Sequence, residues 1–175
     1  MTGIDLLQRL RPKSQQQPQP DAIDASSSDT SDAPPPPTEY VLDRAPTQTA
    51  GDRLHAKCGG RYVSVVRLNS GGLACVDSIC YHAGGNLGVG DLEDDVLVCP
   101  QHRFRVCLRT GDATEGGGAH ARGRQRVHVA YECDGSLRVR LGAGGDAASD
   151  RFASAAETAW NDTMWREIRV ARPVE

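Results

Sequence analysis

Two short cysteine–histidine motifs constrain the fold of this chain more than any other feature of its sequence. The first places Cys80 two residues before His82, and the second places Cys99 three residues before His102, with sixteen residues between the motifs. Two thiolates and two imidazoles make one four-ligand site, so we expect two loops that each carry a thiol and an imidazole. Glycines near the motifs allow the backbone to approach closely and to donate N–H groups to sulfur. The glycines that fit this role are Gly84, Gly85, Gly88 and Gly90.

The pair of motifs resembles the signature of the Rieske [2Fe-2S] family, in which a C-x-H and a C-x-x-H pair stand at this separation. The resemblance covers roughly residues 38–142, and within the family the chain looks like the small soluble Rieske ferredoxins, including the eukaryotic Rieske domain-containing proteins. Two positions depart from the family pattern: Val106 replaces an aromatic residue, and Arg103 replaces a small residue after the second histidine. The flanking residues that match are Leu87, Leu108, Thr110 and Gly111.

The resemblance implies one [2Fe-2S] cluster per chain and a small antiparallel β fold with a cluster-binding subdomain inserted as two loops. Carried over residue by residue, it implies that Cys80 and Cys99 bind one iron and that His82 and His102 bind the other. These four residues are the expected cofactor and metal ligands, and no catalytic residue is expected. Because neutral imidazoles replace two thiolates, Rieske potentials are high for such clusters, at about −150 to +300 mV.

The residues around the motifs predict a reduction potential in the lower part of that range. High-potential members of the family add a cysteine to each loop and hydroxyl groups that donate to sulfur. This chain has Gly85 and Gln101 at the two loop positions, and Phe104 and Val106 at the hydroxyl positions. With fewer hydrogen bonds to sulfur, the reduced and more negative cluster is less stabilised.

A tetrahedral zinc site is the alternative for the same four side chains. Zinc spacings normally pair cysteine with cysteine and histidine with histidine, which disfavours zinc here. No disulfide is predicted among the other cysteines. Cys75 and Cys133 fall within or beside strand patterns, and Cys107 is predicted to be a small buried hydrophobic residue rather than a redox-sensing thiol.

Composition divides the chain into three parts. Seven of the ten prolines lie in the first 37 residues, and eighteen of the nineteen glycines lie between Gly51 and Gly145. Residues 1–38 are therefore predicted to be a disordered tail, 39–142 the Rieske-like domain, and 143–175 a Gly-rich linker with a short helix. The apolar residues at fourfold spacing that predict this helix are Phe152, Ala156, Trp160 and Met164.

Short apolar runs between glycine-rich breaks predict a mainly β fold. Asp134-Gly135 lies between two of these runs and predicts a tight hairpin. The predicted strands are 40–42, 61–68, 73–76, 96–98, 104–108, 127–132 and 136–141.

Charge and hydropathy exclude several classes of partner. The net charge of −3 lies entirely in the first 50 residues, and residues 51–175 are neutral. This balance argues against nucleic-acid binding, which depends on a strong positive excess. No apolar run approaches the roughly 18 residues of a membrane span. We expect a cytoplasmic protein, with organellar targeting as the less favoured alternative.

Residues 101–128 contain six arginines and two acidic residues, a local balance of +4. This stretch is either a docking face for an acidic redox partner or an ordinary set of solvated arginines, and the second interpretation is favoured. The arginines are Arg103, Arg105, Arg109, Arg122, Arg124 and Arg126.

The resemblance implies a soluble one-electron carrier between a reductase and an acceptor, and not an enzyme by itself. Two alternatives are a redox- or iron-sensing interaction module and the ferredoxin component of a multi-subunit oxygenase. An oxygenase subunit also needs a mononuclear iron site, and only His55, His120 and His128 remain for one. The sequence specifies neither the redox partners nor the oligomeric state.

Overall fold

A computed structural model describes residues 38–46, 48–114, 123–143, 150, 152 and 169–174 of the chain. All of these belong to one unit defined by contacts, Pro35–Glu175. The predicted tail, apart from Thr38, and most of the predicted C-terminal helix lie outside the described residues. Within that predicted helix Asp150 and Phe152 are described, and both have helical backbone conformation.

The described residues form short β-strands and one 3₁₀ turn, Leu87–Val89, so the mainly β prediction is confirmed. All seven predicted strands are present, and their ends agree with the prediction to within one residue. In chain order the strands are β1 Glu39–Leu42, β2 Arg53–Cys58, β3 Arg61–Arg67, β4 Leu73–Asp77, β5 Asp91–Glu93, β6 Val96–Val98, β7 Arg105–Cys107, β8 Val127–Cys133, β9 Ser136–Arg140, β10 Arg169–Val170 and β11 Arg172–Pro173.

Four strands were not predicted from the sequence. β2 alternates charged or polar residues with apolar ones, and three of its six residues are Arg53, His55 and Lys57. β5 has acidic residues at both ends. β10 and β11 have only two residues each, too few for any periodic pattern, and they lie in the part of the chain predicted to be linker and helix.

Eight strands form one sheet in the order β10-β2-β3-β4-β8-β9-β1-β11. Neighbouring strands are antiparallel except β10 and β2, which are parallel. The two strands at the ends of this order, β10 and β11, are separated in sequence only by the buried Ala171. The sheet therefore closes almost completely on itself, and we call it the barrel.

Side chains that point into the barrel form one of two hydrophobic cores, which includes Val63, Val65, Leu137 and Val139, all fully buried. The hairpin predicted at Asp134-Gly135 is present and joins β8 to β9. Both residues have positive φ, 52° and 75°, as a two-residue turn between twisted strands requires.

The chain leaves the barrel after β4 and returns to it at β8, and we call residues 78–126 the inserted unit. Its β5, β6 and β7 form a separate three-stranded antiparallel sheet. The second hydrophobic core lies between this unit and the barrel, with Leu97, Val106 and Leu87 on one side and Val66 and Val76 on the other. This arrangement agrees with the predicted fold of a β domain carrying an inserted subdomain.

Candidate metal centre

Both cysteine–histidine motifs lie in the inserted unit and form loops of the same construction. In the first motif loop, residues 80–85, the N–H of Gly84 donates to the carbonyl of Cys80 at 2.9 Å. In the second motif loop, residues 99–103, the N–H of Arg103 donates to the carbonyl of Cys99 at 2.8 Å. Gly84 and Arg103 both have positive φ, 76° and 55°. Arg103, which departs from the family pattern, therefore has a left-handed backbone conformation. This conformation costs the least free energy when the residue is glycine.

The two motif cysteines are buried and contact each other. The thiol of Cys80 hydrogen-bonds to that of Cys99, and this contact, with burial, raises the pKa of Cys80. The same bond lowers the pKa of Cys99 to about 6, against the opposing effect of burial. Backbone N–H groups also donate to the sulfurs, from His82 and Ala83 to Cys80 and from Gln101 and His102 to Cys99. The N–H groups that donate to these two sulfurs include those of both motif histidines, and a role for the nearby glycines stays a prediction.

The two motif histidines lie together on the outer side of the thiols. Their ring centroids are 5.2 Å apart and their planes are nearly perpendicular. His82 is half-buried and stacks on Phe104 at 4.7 Å, whereas His102 is exposed. Tyr81 contacts the edge of the same Phe104 ring at 5.3 Å. The four predicted ligands therefore lie together as two pairs, a buried thiol pair and an outer imidazole pair.

Close approach of the two loops depends on Gly85. A Cβ atom at this position would lie 2.8 Å from Cys99 Sγ and 2.7 Å from Gln101 Oε1. Both distances are shorter than van der Waals contact, so any side chain at residue 85 would push the second loop away from the first.

Comparison with known proteins tests the interpretation of this geometry. The sequence model of the Rieske [2Fe-2S] domain matches residues 38–127, just over half of the chain. The chain belongs to the Rieske [2Fe-2S] family. The cofactor of a Rieske domain is a [2Fe-2S] cluster, which is a one-electron redox group.

Two curated relatives match part of the Rieske domain. A human Rieske domain-containing protein is 37% identical over 65 residues, which is 35% of this chain and 41% of the relative. The cholesterol 7-desaturase of Caenorhabditis elegans is 33% identical over 58 residues, 32% of this chain and 14% of the enzyme. The chain thus spans about two fifths of the first relative's length and one seventh of the second's.

Solved structures show the same fold at low sequence identity. A complex of reduced oxygenase and oxidised ferredoxin from carbazole 1,9a-dioxygenase contains a chain that superposes with a TM-score of 0.50 and 19% identity. That match covers 57% of this chain and 92% of the other. A carbazole-bound oxygenase and ferredoxin complex gives a TM-score of 0.50 and 21% identity, covering 61% of this chain and 29% of the other.

The chemistry of the donor set fits a Rieske cluster. Each iron of such a cluster takes two protein ligands, so two separate pairs of side chains are sufficient. Within the part of the chain that the structure describes, no three or more His, Cys, Asp or Glu side chains are grouped as a site for a single metal ion. A thiol pair and an imidazole pair would give each iron of such a cluster its two protein ligands.

A charged network that the sequence did not predict is centred on Asp77, the last residue of β4. Asp77 is buried and accepts hydrogen bonds from Arg61 at 3.0 Å and from His128 Nε2 at 2.9 Å. The Nδ1 of His128 accepts from the N–H of Gly142, which leaves the ring proton on Nε2. Arg61 and Arg126 also bind Asp150, at 2.9 and 3.0 Å. Neither Asp77 nor His128 belongs to a motif, so only their positions in the fold show that they interact.

Phe152 contacts the first motif loop at Gly84. A Cβ atom at Gly84 would lie 2.8 Å from both Cβ and Cγ of Phe152. The described residues of the predicted C-terminal helix, Asp150 and Phe152, therefore both contact the Rieske domain.

The arginines of residues 101–128 do not form an unpaired positive face among the described residues. Arg103 pairs with Asp91 at 2.6 Å, Arg109 with Asp95 and Arg124 with Asp112. Arg105 and Arg126 are paired as well, with Glu93 and Asp77, and Arg122 lies outside the described residues. Arg126 is buried among Asp77 and Asp150, so the interpretation as solvated arginines does not describe it. For the other described arginines the choice between a docking face and ordinary solvated residues stays a prediction.

The predicted burial of Cys107 is wrong, whereas Cys75 and Cys58 are both buried. Cys107 is half-buried, and although burial opposes the change, hydrogen bonds from Thr110 and from the Arg109 N–H lower its pKa. Cys75 is a core residue, and burial raises the pKa of Cys58 to about 12. All six cysteines are free thiols in the structure.

No helix in the described ranges combines the length and the apolar composition needed to cross a bilayer.

Proposed function

We propose that this chain is a one-electron carrier in which Cys80 and Cys99 bind one iron of the cluster and His82 and His102 bind the other. The observation that supports the assignment is the separation of the four side chains into a buried thiol pair and an outer imidazole pair. The cluster, when bound, supplies one-electron oxidation and reduction between two states that differ by a single charge.

The protein groups around the sulfurs stabilise the more negative state. Four backbone N–H groups donate to the two cysteine sulfurs, two from each motif loop. Such bonds favour added negative charge on the metal centre and raise its potential. Phe104 and Val106 are buried and apolar, so the positions predicted to lack hydroxyl donors contribute none. Because these hydroxyl donors are missing, the potential that we propose lies in the lower part of the range from about −150 to +300 mV.

The aromatic residues exclude water from one side of the imidazole pair. His82 stacks on Phe104, and Tyr81 contacts the edge of that ring. His102 has no comparable cover, because it is exposed at the tip of its loop. Electrons therefore enter and leave through the His102 side, where a partner protein can come closest to the metal centre.

The redox partners are separate proteins. One fold neighbour is a ferredoxin in complex with its oxygenase, which illustrates this kind of partnership. A reductase as donor and an oxygenase or related enzyme as acceptor are the proposed partners of this chain.

Absorbance and low-temperature EPR spectra of the anaerobically reduced protein test the cofactor. Ligand replacement tests the assignment: His102→Cys exchanges a neutral ligand for an anionic one, so a cluster that still assembles should have a more negative potential. The matched control is His55→Cys, since His55 lies on β2 and hydrogen-bonds to Ser64. If the wild type, His102→Cys and His55→Cys all have the same potential, His102 is not a ligand.

A further inference from the structure

Gln125 lies against the first motif loop and uses every hydrogen-bonding group of its amide. Its Oε1 accepts from the backbone N–H of Tyr81 at 2.9 Å. Its Nε2 donates to the carbonyls of Asp77 and Ile79, both at 2.8 Å. The residue is fully buried. One oxygen and one NH₂ group meet one N–H and two carbonyls, so a single amide orientation satisfies all three bonds.

The bond to Tyr81 acts at the centre of the first motif. Tyr81 is the residue between Cys80 and His82, and its N–H belongs to the peptide group that directly follows Cys80. Gln125 therefore fixes the plane of that peptide. The next two N–H groups, of His82 and Ala83, are the ones that donate to the Cys80 sulfur. Their direction depends on the peptide that Gln125 holds.

The backbone of Gln125 is itself fixed against the continuation of the second motif. Its N–H donates to the carbonyl of Gly111 at 2.8 Å, and the N–H of Gly111 donates to the carbonyl of Cys107 at 2.8 Å. A Cβ atom at Gly111 would lie 2.0 Å from the Gln125 carbonyl oxygen, and its φ is +78°. Gly111 thus admits the backbone of Gln125, whose side chain then reaches the first loop.

We propose that Gln125 is a positioning residue whose amide sets the orientation of residues 80–82 and thereby the potential and the EPR spectrum of the cluster. The proposal rests on the ligand assignment made above. The three bonds specify glutamine: a carboxylate has no donor for the two carbonyls, and an apolar side chain would leave three buried polar groups unpaired. Gln125 does not contact solvent, so its role is internal to the site.

The first experiment replaces the amide without changing the length of the side chain. Gln125→Met in the full chain removes all three hydrogen bonds and keeps an unbranched side chain of similar size. We expect hydrogen–deuterium exchange of a peptide spanning residues 79–83 to accelerate at least tenfold. We also expect a more negative potential and altered EPR g values, because the N–H groups that donate to Cys80 lose their fixed direction. Gln48→Met makes the same chemical change at an exposed position and should reproduce the wild-type values.

A second pair of variants separates positioning from general destabilisation. Val139→Ala removes methyl groups from the barrel core, away from the motif loops. It should lower the free energy of unfolding and leave the potential and g values unchanged. Gln125→Asn keeps the amide on a shorter side chain that cannot make all three bonds at once, so its exchange rate should lie between those of wild type and Gln125→Met. It also provides the comparison if Gln125→Met does not accumulate as folded protein.

The outcomes distinguish this proposal from the proposed function. A wild-type chain without the absorbance and EPR spectrum of a Rieske cluster overturns the proposed function. A normal wild-type spectrum with potentials and g values that are the same in wild type and every folded Gln125 variant overturns only the role of Gln125. An equal shift in Val139→Ala would also overturn it, since the shift would then follow stability rather than the orientation of the loop.

Discussion

The barrel and the inserted unit are stabilised in different ways. Barrel strands such as β3 and β8 have seven residues each, and neither cysteine–histidine motif lies on a barrel strand. The strands of the inserted unit have three residues each, and much of its chain is loop. The loops are held by hydrogen bonds from buried polar groups, of which Gln125 makes three.

Because of this difference, the residues that determine the stability of the fold are largely distinct from those that determine the geometry of the metal centre. A long ladder of backbone hydrogen bonds tolerates many sequences, because every residue contributes the same groups. A loop that must hold four side chains in a fixed arrangement depends on particular residues, such as Gly85 and Gln125. Changes in the barrel should therefore affect stability, and changes in the inserted unit should affect the metal centre first.

The largest expected effect is the loss of the cluster from a variant that still folds. Cys99→Ser removes one of the two buried thiolates, and we expect the iron content per chain to fall close to zero. The circular dichroism of the barrel should be retained, because no barrel strand contains this residue. Cys133→Ser is the matched control, at a half-buried position beside the Asp134-Gly135 turn. Normal iron content in Cys99→Ser would contradict the ligand assignment.

A pair of leucines compares the two cores directly. Leu97 in the inserted unit and Leu137 in the barrel are both fully buried. Replacement of either by alanine should lower the free energy of unfolding by about 2–5 kcal/mol. Chemical denaturation measures this loss, and the rate of iron release to a chelator measures the metal centre. We expect faster release in Leu97→Ala only; equal rates in the two variants would remove the distinction between the regions.

Acid should weaken the barrel through Glu39 of β1. This carboxylate accepts a hydrogen bond from Tyr131 and binds Arg140 and Arg138, and these contacts lower its pKa below the ordinary 4.5. A lowered folded-state pKa contributes stability above 4.5 that is lost as pH falls from there toward the folded value. Glu39→Gln should flatten the pH dependence of unfolding in this window. An unchanged acid limb would show that the contacts of Glu39 do not stabilise the barrel.

The smallest effect concerns two residues with positive φ. Arg103 in the second motif loop and Asp134 in the barrel hairpin have φ values of 55° and 52°. A left-handed conformation costs about 1–2 kcal/mol for most residues and less for aspartate. Arg103→Gly relieves this conformation but also loses the exposed ion pairs with Asp91 and Glu93, so its net gain in stability should be smaller than the conformational cost alone. Thermal unfolding should show a smaller gain for Asp134→Gly; the reverse order would contradict this account.

The sequence predicts the parts of this structure that depend on local patterns. The spacing of the two motifs indicates the four side chains at the metal centre, and Asp134-Gly135 indicates the hairpin between β8 and β9. Seven strands follow from apolar runs bounded by glycine. These features depend on residues within a few positions of one another.

The structural features that the sequence did not predict depend on residues that are far apart in the chain. Gln125 is 44 residues from Tyr81 in the chain, and nothing in its neighbourhood marks it as a hydrogen-bond partner of the first motif. The arginines of residues 101–128 look like a positive patch until their acidic partners on β5 and in adjacent turns are known. Arg103 has a left-handed conformation because of the path of the second motif loop, not because of its own side chain.

The pairing of β10 and β11 has a consequence for the order in which the protein can be completed during synthesis. These strands pair with Ala56 and Lys57 of β2 and with Tyr40 and Val41 of β1, more than one hundred residues earlier in the chain. Both motif loops leave the ribosome well before residues 169–173 do. Both motif loops are therefore made while the two edges of the sheet still lack their final partners, and contacts between such distant residues form slowly. The barrel can therefore close only after both motif loops have been synthesised.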